Sequence, residues 1–164
     1  MQQQQQQQNA RRRAAMFLGV VAGCAVVAAC GSSGDASTGP KAPLNIGGGW
    51  SLSVAVSNAA VGMSCQGSGL VSLVQIGSNF TGYVTNSGLV CTGANGATAG
   101  GSMDGPLTGG QIDGTTVTVS DGSGCSYTGT ASGSPVNRID GHVTCMVPLN
   151  GTVYPFTGPF VATR

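Results

Sequence analysis

Few side chains in this 164-residue sequence are able to act as acids, bases or nucleophiles. His142 is its one histidine, so a nucleophile–base pair would have to combine His142 with one of the many serines. It lies in DGHVTC, a strand pattern that also carries a cysteine expected to form a disulfide. We therefore predict an ordinary strand histidine, no catalytic residue and no enzymatic activity.

The acidic side chains are all aspartates, and four of the five precede glycine. Asp-Gly favours tight turns because both residues tolerate positive φ. We predict a turn at Asp113-Gly114 and a β-bulge at Asp140-Gly141, which lies inside a strand pattern. A calcium site or an acid–base carboxylate pair is the alternative, and it requires distant aspartates to meet in space. The four are Asp104, Asp113, Asp121 and Asp140.

Four cysteines have a spacing that suits disulfides. Residues equidistant from a hairpin turn lie opposite each other, at a distance that a disulfide can bridge. The midpoint of Cys65 and Cys91 falls in the turn pattern GSN, and the midpoint of Cys125 and Cys145 falls in SGSPVN. We predict one disulfide in each hairpin. Zinc binding is the alternative, but the CxxC-like spacing that it favours is absent, so we expect no metal and no cofactor.

The low content and the sign of the charged residues argue against a nucleic-acid partner. Charged residues form 7% of the sequence, against about 25% in an average protein. After Cys30, three basic residues (Lys41, Arg138 and Arg164) stand against five aspartates, which gives a net charge of −2. A nucleic-acid surface requires clustered Lys and Arg. We therefore expect no nucleic-acid partner.

Alternating apolar and polar residues separated by Gly-rich turns predict short β-strands. In the stretch that begins at Trp50, one face carries Trp50, Leu52, Val54 and Val56, and the other carries Ser and Ala. Further strand patterns are LVSLVQI, FTGYVT, GPLTGGQI, TTVTVS, CSYTGTA, RIDGHVTCMV and TVYPFTGPFVAT. Short connections make sequence neighbours pair antiparallel. The sequence predicts an all-β antiparallel meander of about eight strands, closed into a barrel that has no exposed edges, with a β-sandwich as the alternative.

The N-terminal residues have the order of a secretory signal peptide. Arg11–Arg13 precede the uncharged apolar run Ala14–Ala29. A membrane-spanning helix in the mature protein is the alternative, but it needs about 20 apolar residues, and this run has 16. We predict that residues 1–29 are a signal peptide and that the protein is exported.

Two motifs in this region, VAGC ending at Cys24 and VAAC ending at Cys30, resemble the lipobox of bacterial lipoproteins. The resemblance implies that a lipobox cysteine is acylated and becomes the first mature residue. Cleavage before Cys30 leaves a polar, flexible start, whereas cleavage before Cys24 leaves an apolar one, so we favour Cys30 with Cys24 as the alternative. We assign residues 30–46 to a tether and 47–164 to the barrel. Gly31 in second position implies the outer membrane, and the membrane is the expected partner.

The GGW motif that ends at Trp50, the stretch NFTGYV and the closing VATR resemble the up-and-down barrels of the avidin and lipocalin group. Those barrels share GxW at the start of strand one, and a late basic residue often covers that Trp. The resemblance implies that Trp50 plugs one barrel end and that Arg164 lies over it, with a ligand contact of Trp50 as the alternative. Avidins line their biotin site with several Trp, and this chain has one, so no biotin site is carried over.

Two functions are compatible with these features. The first is a tethered barrel that holds a small apolar or amphipathic molecule. The second is a structural or interaction lipoprotein of the envelope that has no small-molecule ligand. An open apolar cavity would favour the first function, and a filled interior with an exposed apolar patch would favour the second.

Overall fold

A computed structural model describes residues 43–164 of the chain. The predicted signal peptide, both lipobox cysteines (Cys24 and Cys30) and the tether up to residue 42 lie outside the described residues. Residues 43–164 form nine β-strands and no helix, so no helix in this part of the chain is able to span a membrane.

All strand pairings are antiparallel, as the short connections predict. The strands are β1 (Gly48–Asn58), β2 (Met63–Ile76), β3 (Asn79–Gly93), β4 (Thr98–Gly101), β5 (Gly105–Asp113), β6 (Thr116–Asp121), β7 (Cys125–Gly133), β8 (Val136–Leu149) and β9 (Thr152–Thr163).

The sheet closes on itself. Neighbouring strands pair in the order β2-β1-β9-β8-β7-β6-β5-β3, and β2 also pairs with β3, which completes a ring of eight strands. The predicted closed barrel is therefore confirmed. Because β1 and β9 lie side by side in one sheet, with Leu52 opposite Ala162, the alternative β-sandwich is wrong.

Two strand segments were not predicted from the sequence patterns: β4 and the first half of β2. β4 lies outside the ring and pairs with the second half of β3, where Ala99 stands opposite Cys91. Its sequence TAGG is fully exposed and has no apolar alternation, so the expected count of about eight strands omits it. The pattern Leu70–Ile76 is only the second half of β2, because MSCQGSG, which begins at Met63, also pairs with β1 and β3.

The interior of the barrel is apolar. Alternation along β1 buries Trp50, Leu52, Val54 and Val56, as predicted, and Phe156 on β9 is only 1% exposed. Among the described residues no polar or charged residue is buried. Burial of apolar surface therefore stabilises the fold.

Antiparallel pairing gives the barrel two distinct ends. One end, which we call the Trp50 rim, holds the start of β1, the end of β9 and the turns β2–β3, β5–β6 and β7–β8. The other end, which we call the disulfide rim, holds the turns β1–β2, β6–β7 and β8–β9.

The Asp-Gly pairs differ in their roles. The turn at Asp113-Gly114 is confirmed: β5 ends at Asp113, and Gly114 has a φ of +58°. The bulge expected at Asp140-Gly141 is wrong, because Gly141 stands opposite Gly129 in regular register. The glycine is required for space instead, since a Cβ on Gly141 would lie 2.7 Å from a carbon of the Phe160 ring.

Candidate functional site: the barrel interior and outer wall

Both predicted disulfides are present. Cys65 is bonded to Cys91 across the β2–β3 hairpin, and Cys125 is bonded to Cys145 across β7–β8. The bonded residues are 26 and 20 positions apart, and the loop-entropy model gives about 3–4 kcal/mol of stabilisation for each. Two disulfides are consistent with a protein that is exported from the cytoplasm.

One extra residue brings each cysteine pair into register. In the β2–β3 hairpin, Asn86 and Ser87 stand opposite the single residue Gly69, and in the β7–β8 hairpin the extra residue is Asn137. Each hairpin has a two-residue turn, which alone would pair odd-numbered with even-numbered residues. All four cysteines have odd numbers, so these two bulges are what place them opposite each other.

Asp104 holds the first of these bulges in place. Its Oδ1 accepts a hydrogen bond of 2.9 Å from the backbone N–H of Ser87, and the Ser87 hydroxyl accepts one of 2.6 Å from the N–H of Met103. Hydrogen bonds from Ser87 lower the pKa of Asp104. The stabilisation that they give is present above the ordinary aspartate pKa of about 3.9, and it is lost as the pH falls through the lowered value.

Arg164 covers Trp50 at the Trp50 rim, as the resemblance to avidins and lipocalins implies. The guanidinium carbon lies 4.4 Å from the centroid of the indole ring. The Arg164 nitrogens also donate hydrogen bonds to three backbone carbonyls, those of Val136 (2.7 Å), Gly47 (2.7 Å) and Asn45 (3.0 Å). One side chain therefore joins the end of the chain to β8 and to the segment that precedes β1.

That preceding segment closes the rim. Ile46 is fully buried, and its carbonyl accepts a hydrogen bond of 2.8 Å from the Trp50 indole N–H. The Gln75 side chain accepts from the N–H of Ile46 and donates to the carbonyl of Leu44, both at 2.7 Å. Residues 44–46, which were predicted to be part of the tether, thus belong to the packed end of the barrel.

We expect Arg164→Ala to lower the free energy of unfolding by about 1–2 kcal/mol, because it removes the cation–π contact and charged hydrogen bonds. Trp50, which is 3% exposed, gains contact with water, so its fluorescence emission shifts to longer wavelength. The matched control is Arg138→Ala, whose ion pair with Asp140 is about half exposed on both sides and contributes little. An unchanged emission spectrum in Arg164→Ala would contradict the covering role.

The space left inside the barrel is small. One cavity of about 50 Å³ lies in the core, and its lining is almost entirely apolar. It touches Trp50, Phe80, Tyr127 and Phe160. Ligand pockets that enclose drug-sized molecules measure about 300–1,000 Å³. The cavity is therefore too small for such a molecule, and its almost entirely apolar lining offers water few hydrogen-bond partners.

Tyr127 carries the buried phenol. Its ring packs edge-on against Phe160, with centroids 5.5 Å apart, and its hydroxyl donates a 3.2 Å hydrogen bond to Asp121 Oδ2. The other oxygen of Asp121 accepts from the backbone N–H groups of Ser123 and Cys125, which fixes the β6–β7 turn. Burial, assisted by the Asp121 charge and hydrogen bond, raises the pKa of Tyr127.

This raised pKa predicts a loss of stability at alkaline pH. The stabilisation is fully present below the unfolded-state pKa of about 10, and it is lost as the pH rises from there towards the raised folded-state value. We expect the free energy of unfolding, measured in urea at increasing pH, to fall above about pH 10. Tyr127→Phe removes this contribution, so an equally steep fall in that variant would contradict the assignment.

His142 and the pair Arg138–Asp140 lie on the outer wall of the barrel, away from the core cavity. His142 is exposed on the outer wall of β8, where its cross-strand neighbours are Thr128 and Pro159. Arg138 binds Asp140 through two hydrogen bonds of 2.6 and 2.7 Å, also on the outer wall. Within residues 43–164, no three of the His, Cys, Asp and Glu side chains lie close enough to hold a metal ion.

Large apolar side chains are exposed together on the outer wall of β2 and β3. Leu70, Val74 and Ile76 on β2 are 50%, 63% and 80% exposed, and Tyr83 on β3 is 49% exposed. Tyr83 stands opposite Ser72, which places its ring diagonally next to both Leu70 and Val74. We call Leu70, Val74, Ile76 and Tyr83 the β2–β3 patch.

The barrel has the strand number expected of the up-and-down group, but membership in that group stays a prediction. The interior differs from a ligand-binding barrel in its small free volume. No model of a known protein family matches the chain, and no curated protein matches it.

Proposed function

We propose that the protein is a lipid-anchored protein of the bacterial cell envelope whose barrel is a structural or interaction module, with no small-molecule ligand. The observation that carries this proposal is the interior volume of about 50 Å³. A ligand of even modest size would require several core side chains to move, and close-packed interiors resist such changes.

The closed Trp50 rim supports the same proposal. Ile46, Trp50 and Arg164 cover this end of the barrel. Entry of a molecule here would break the hydrogen bonds that Arg164 makes to the carbonyls of Gly47 and Val136. Because the interior is filled and the Trp50 rim is closed, the barrel contacts other molecules through its outer wall.

The proposed location rests on the sequence before the barrel. The VAAC motif supports acylation at Cys30, and the polar stretch that follows supports a tether between a lipid and a folded domain. Gly31 supports sorting to the outer membrane. The two disulfides support an oxidising compartment, since they are rare in cytosolic proteins.

A carrier of a small apolar molecule is the second candidate. The observation that favours it is the apolar lining of the cavity, which includes aromatic rings. This candidate requires a state of the barrel that is wider than the one described here.

Native mass spectrometry of the protein purified from its own host separates the two candidates. We expect the mass of the chain from Cys30 onwards plus its covalent acyl groups, with no further small molecule bound. The control is the same protein after unfolding, removal of free lipid and refolding, and its mass is expected to be the same. A stoichiometric apolar molecule that is lost in the control would support the carrier and contradict the proposal.

A further inference from the structure

The β2–β3 patch lies in an uncharged part of the barrel. No Asp, Glu, Lys, Arg or His occurs from Leu44 to Met103, a segment that includes all of β1–β4. The charged side chains of the described residues all lie in residues 104–164, where two Arg and four Asp give a net charge of −2. Covering the patch with an apolar surface therefore removes no charge of β1–β4 from water.

The chain enters the barrel beside this patch. Gln75 lies between Val74 and Ile76 in β2, and its side chain binds the backbone of Leu44 and Ile46 at the Trp50 rim. Val74 and Ile76 project outwards from the same end of the strand. The segment that connects the barrel to Cys30 thus departs from the rim at which the patch is most exposed.

The connecting segment is short. Twelve residues, GSSGDASTGPKA, separate Cys30 from Pro43. A Gly/Ser-rich linker that behaves as a random coil would, at this length, have a root-mean-square span of about 20 Å. An acyl group on Cys30 would therefore hold the Trp50 rim about 20 Å from the bilayer on average, and at most about 40 Å from it.

We infer that the β2–β3 patch rests on the surface of the lipid bilayer that holds the anchor. The inference depends on the proposed lipid anchor. Branched apolar side chains such as Val74 and Ile76 bind at the boundary between headgroups and acyl chains, and tyrosine is enriched at this interface. The strands β2 and β3 themselves carry no charge, so they bring no repulsion from anionic lipids such as the aspartates of β5–β8 would cause. Two charges flank them: Arg164 lines a groove together with Leu70, and Asp104 accepts a hydrogen bond from the N–H of Ser87 on β3.

The tether favours contact of the patch with the lipid surface over contact with a second copy of the chain. A linked site meets its partner at an effective concentration in the millimolar range for a short flexible linker. The bilayer is linked to every barrel in this way, whereas a second copy has to be found by diffusion. Contact with the bilayer therefore forms first and covers the patch.

The test places a fluorescent reporter on the patch of the mature acylated protein. Ile76→Trp and Leu70→Trp report from the patch, and Val153→Trp is the matched control, because Val153 is 55% exposed on β9 at the disulfide rim. The proteins are reconstituted into phosphatidylethanolamine–phosphatidylglycerol vesicles whose acyl chains carry bromine, which quenches nearby indoles. Trp50 is common to all three variants, and its signal is subtracted with the unsubstituted protein.

We expect Ile76→Trp and Leu70→Trp to lose more fluorescence than Val153→Trp. Flotation of the vesicles is measured first: protein that does not float contradicts the lipid anchor itself. Protein that floats but shows equal quenching at the three positions overturns the inference and leaves the anchor intact. A blue shift at Ile76→Trp that grows with protein concentration, without bromine quenching, would also overturn it, because a second copy would then cover the patch.

Discussion

We expect Cys30→Ser to abolish fatty-acyl labelling of the protein and to move it from the membrane fraction to the soluble fraction. Serine has no thiol, so it is unable to form the thioether that the lipobox resemblance implies. A single acyl chain gives only reversible membrane binding, with an association constant of about 10⁴ M⁻¹, whereas several chains together hold a protein stably. Metabolic labelling with palmitate and fractionation of the envelope measure the two effects.

Cys24→Ser is the matched control, because it changes the other cysteine of the same segment. We expect it to retain both the label and the membrane association. If Cys24→Ser loses the label while Cys30→Ser keeps it, acylation occurs at Cys24 and the assigned anchor is wrong. Both variants leave residues 43–164 unchanged, so mapping of the two disulfides confirms that the barrel is intact.

Local patterns were sufficient to predict the architecture because the fold repeats one simple rule. Strand residues alternate between core and solvent, so Trp50, Leu52 and Val54 identify the inner face of β1 without knowledge of any other strand. Short turns then force antiparallel neighbours, and an even number of such strands brings the first and last strands together at closure. The contact of Arg164 with Trp50 follows from this closure.

The irregular features depend on neighbours that are distant in sequence, and these were missed. Gly129 and Gly141 have no special turn role: they provide room for the ring of Phe160, which belongs to another strand. The bulges in the two hairpins were missed as well. The three-residue turn GSN that the sequence indicates would pair Cys65 with Cys91 without a bulge, whereas the structure has a two-residue turn and an extra residue further along β3.

The sequence likewise predicted some residues of the Trp50 rim and of the outer wall, but not all of them. The sequence indicated Trp50 and Arg164, but it gave no sign that Gln75 would bind a segment 29 and 31 residues earlier in the chain. The uncharged half of the barrel is visible in the sequence as a long run without ionisable side chains. The sequence does not show which apolar residues of that run face outwards, since LVSLVQI in β2 carries apolar side chains on both of its faces.

Phe160→Ala tests whether the interior is as closely packed as the small cavity indicates. Phe160 is 7% exposed, lies edge-on to Tyr127 and occupies the space above Gly129 and Gly141. Truncation of a buried phenylalanine costs about 3–5 kcal/mol, from lost burial and from the cavity that remains. We expect a loss in the upper part of this range, because the two glycines have no side chains that could move into the gap.

The matched control for Phe160→Ala is Val153→Ala on the same strand, where the side chain is 55% exposed. We expect this exposed substitution to change the free energy of unfolding by less than about 0.5 kcal/mol. Denaturant unfolding followed by Trp50 fluorescence measures both variants. A loss below about 1 kcal/mol for Phe160→Ala, far under the usual cost of such a truncation, would mean that the core is loosely packed around Phe160. A loosely packed core has room to open, so this result would remove the main argument against a small-molecule carrier.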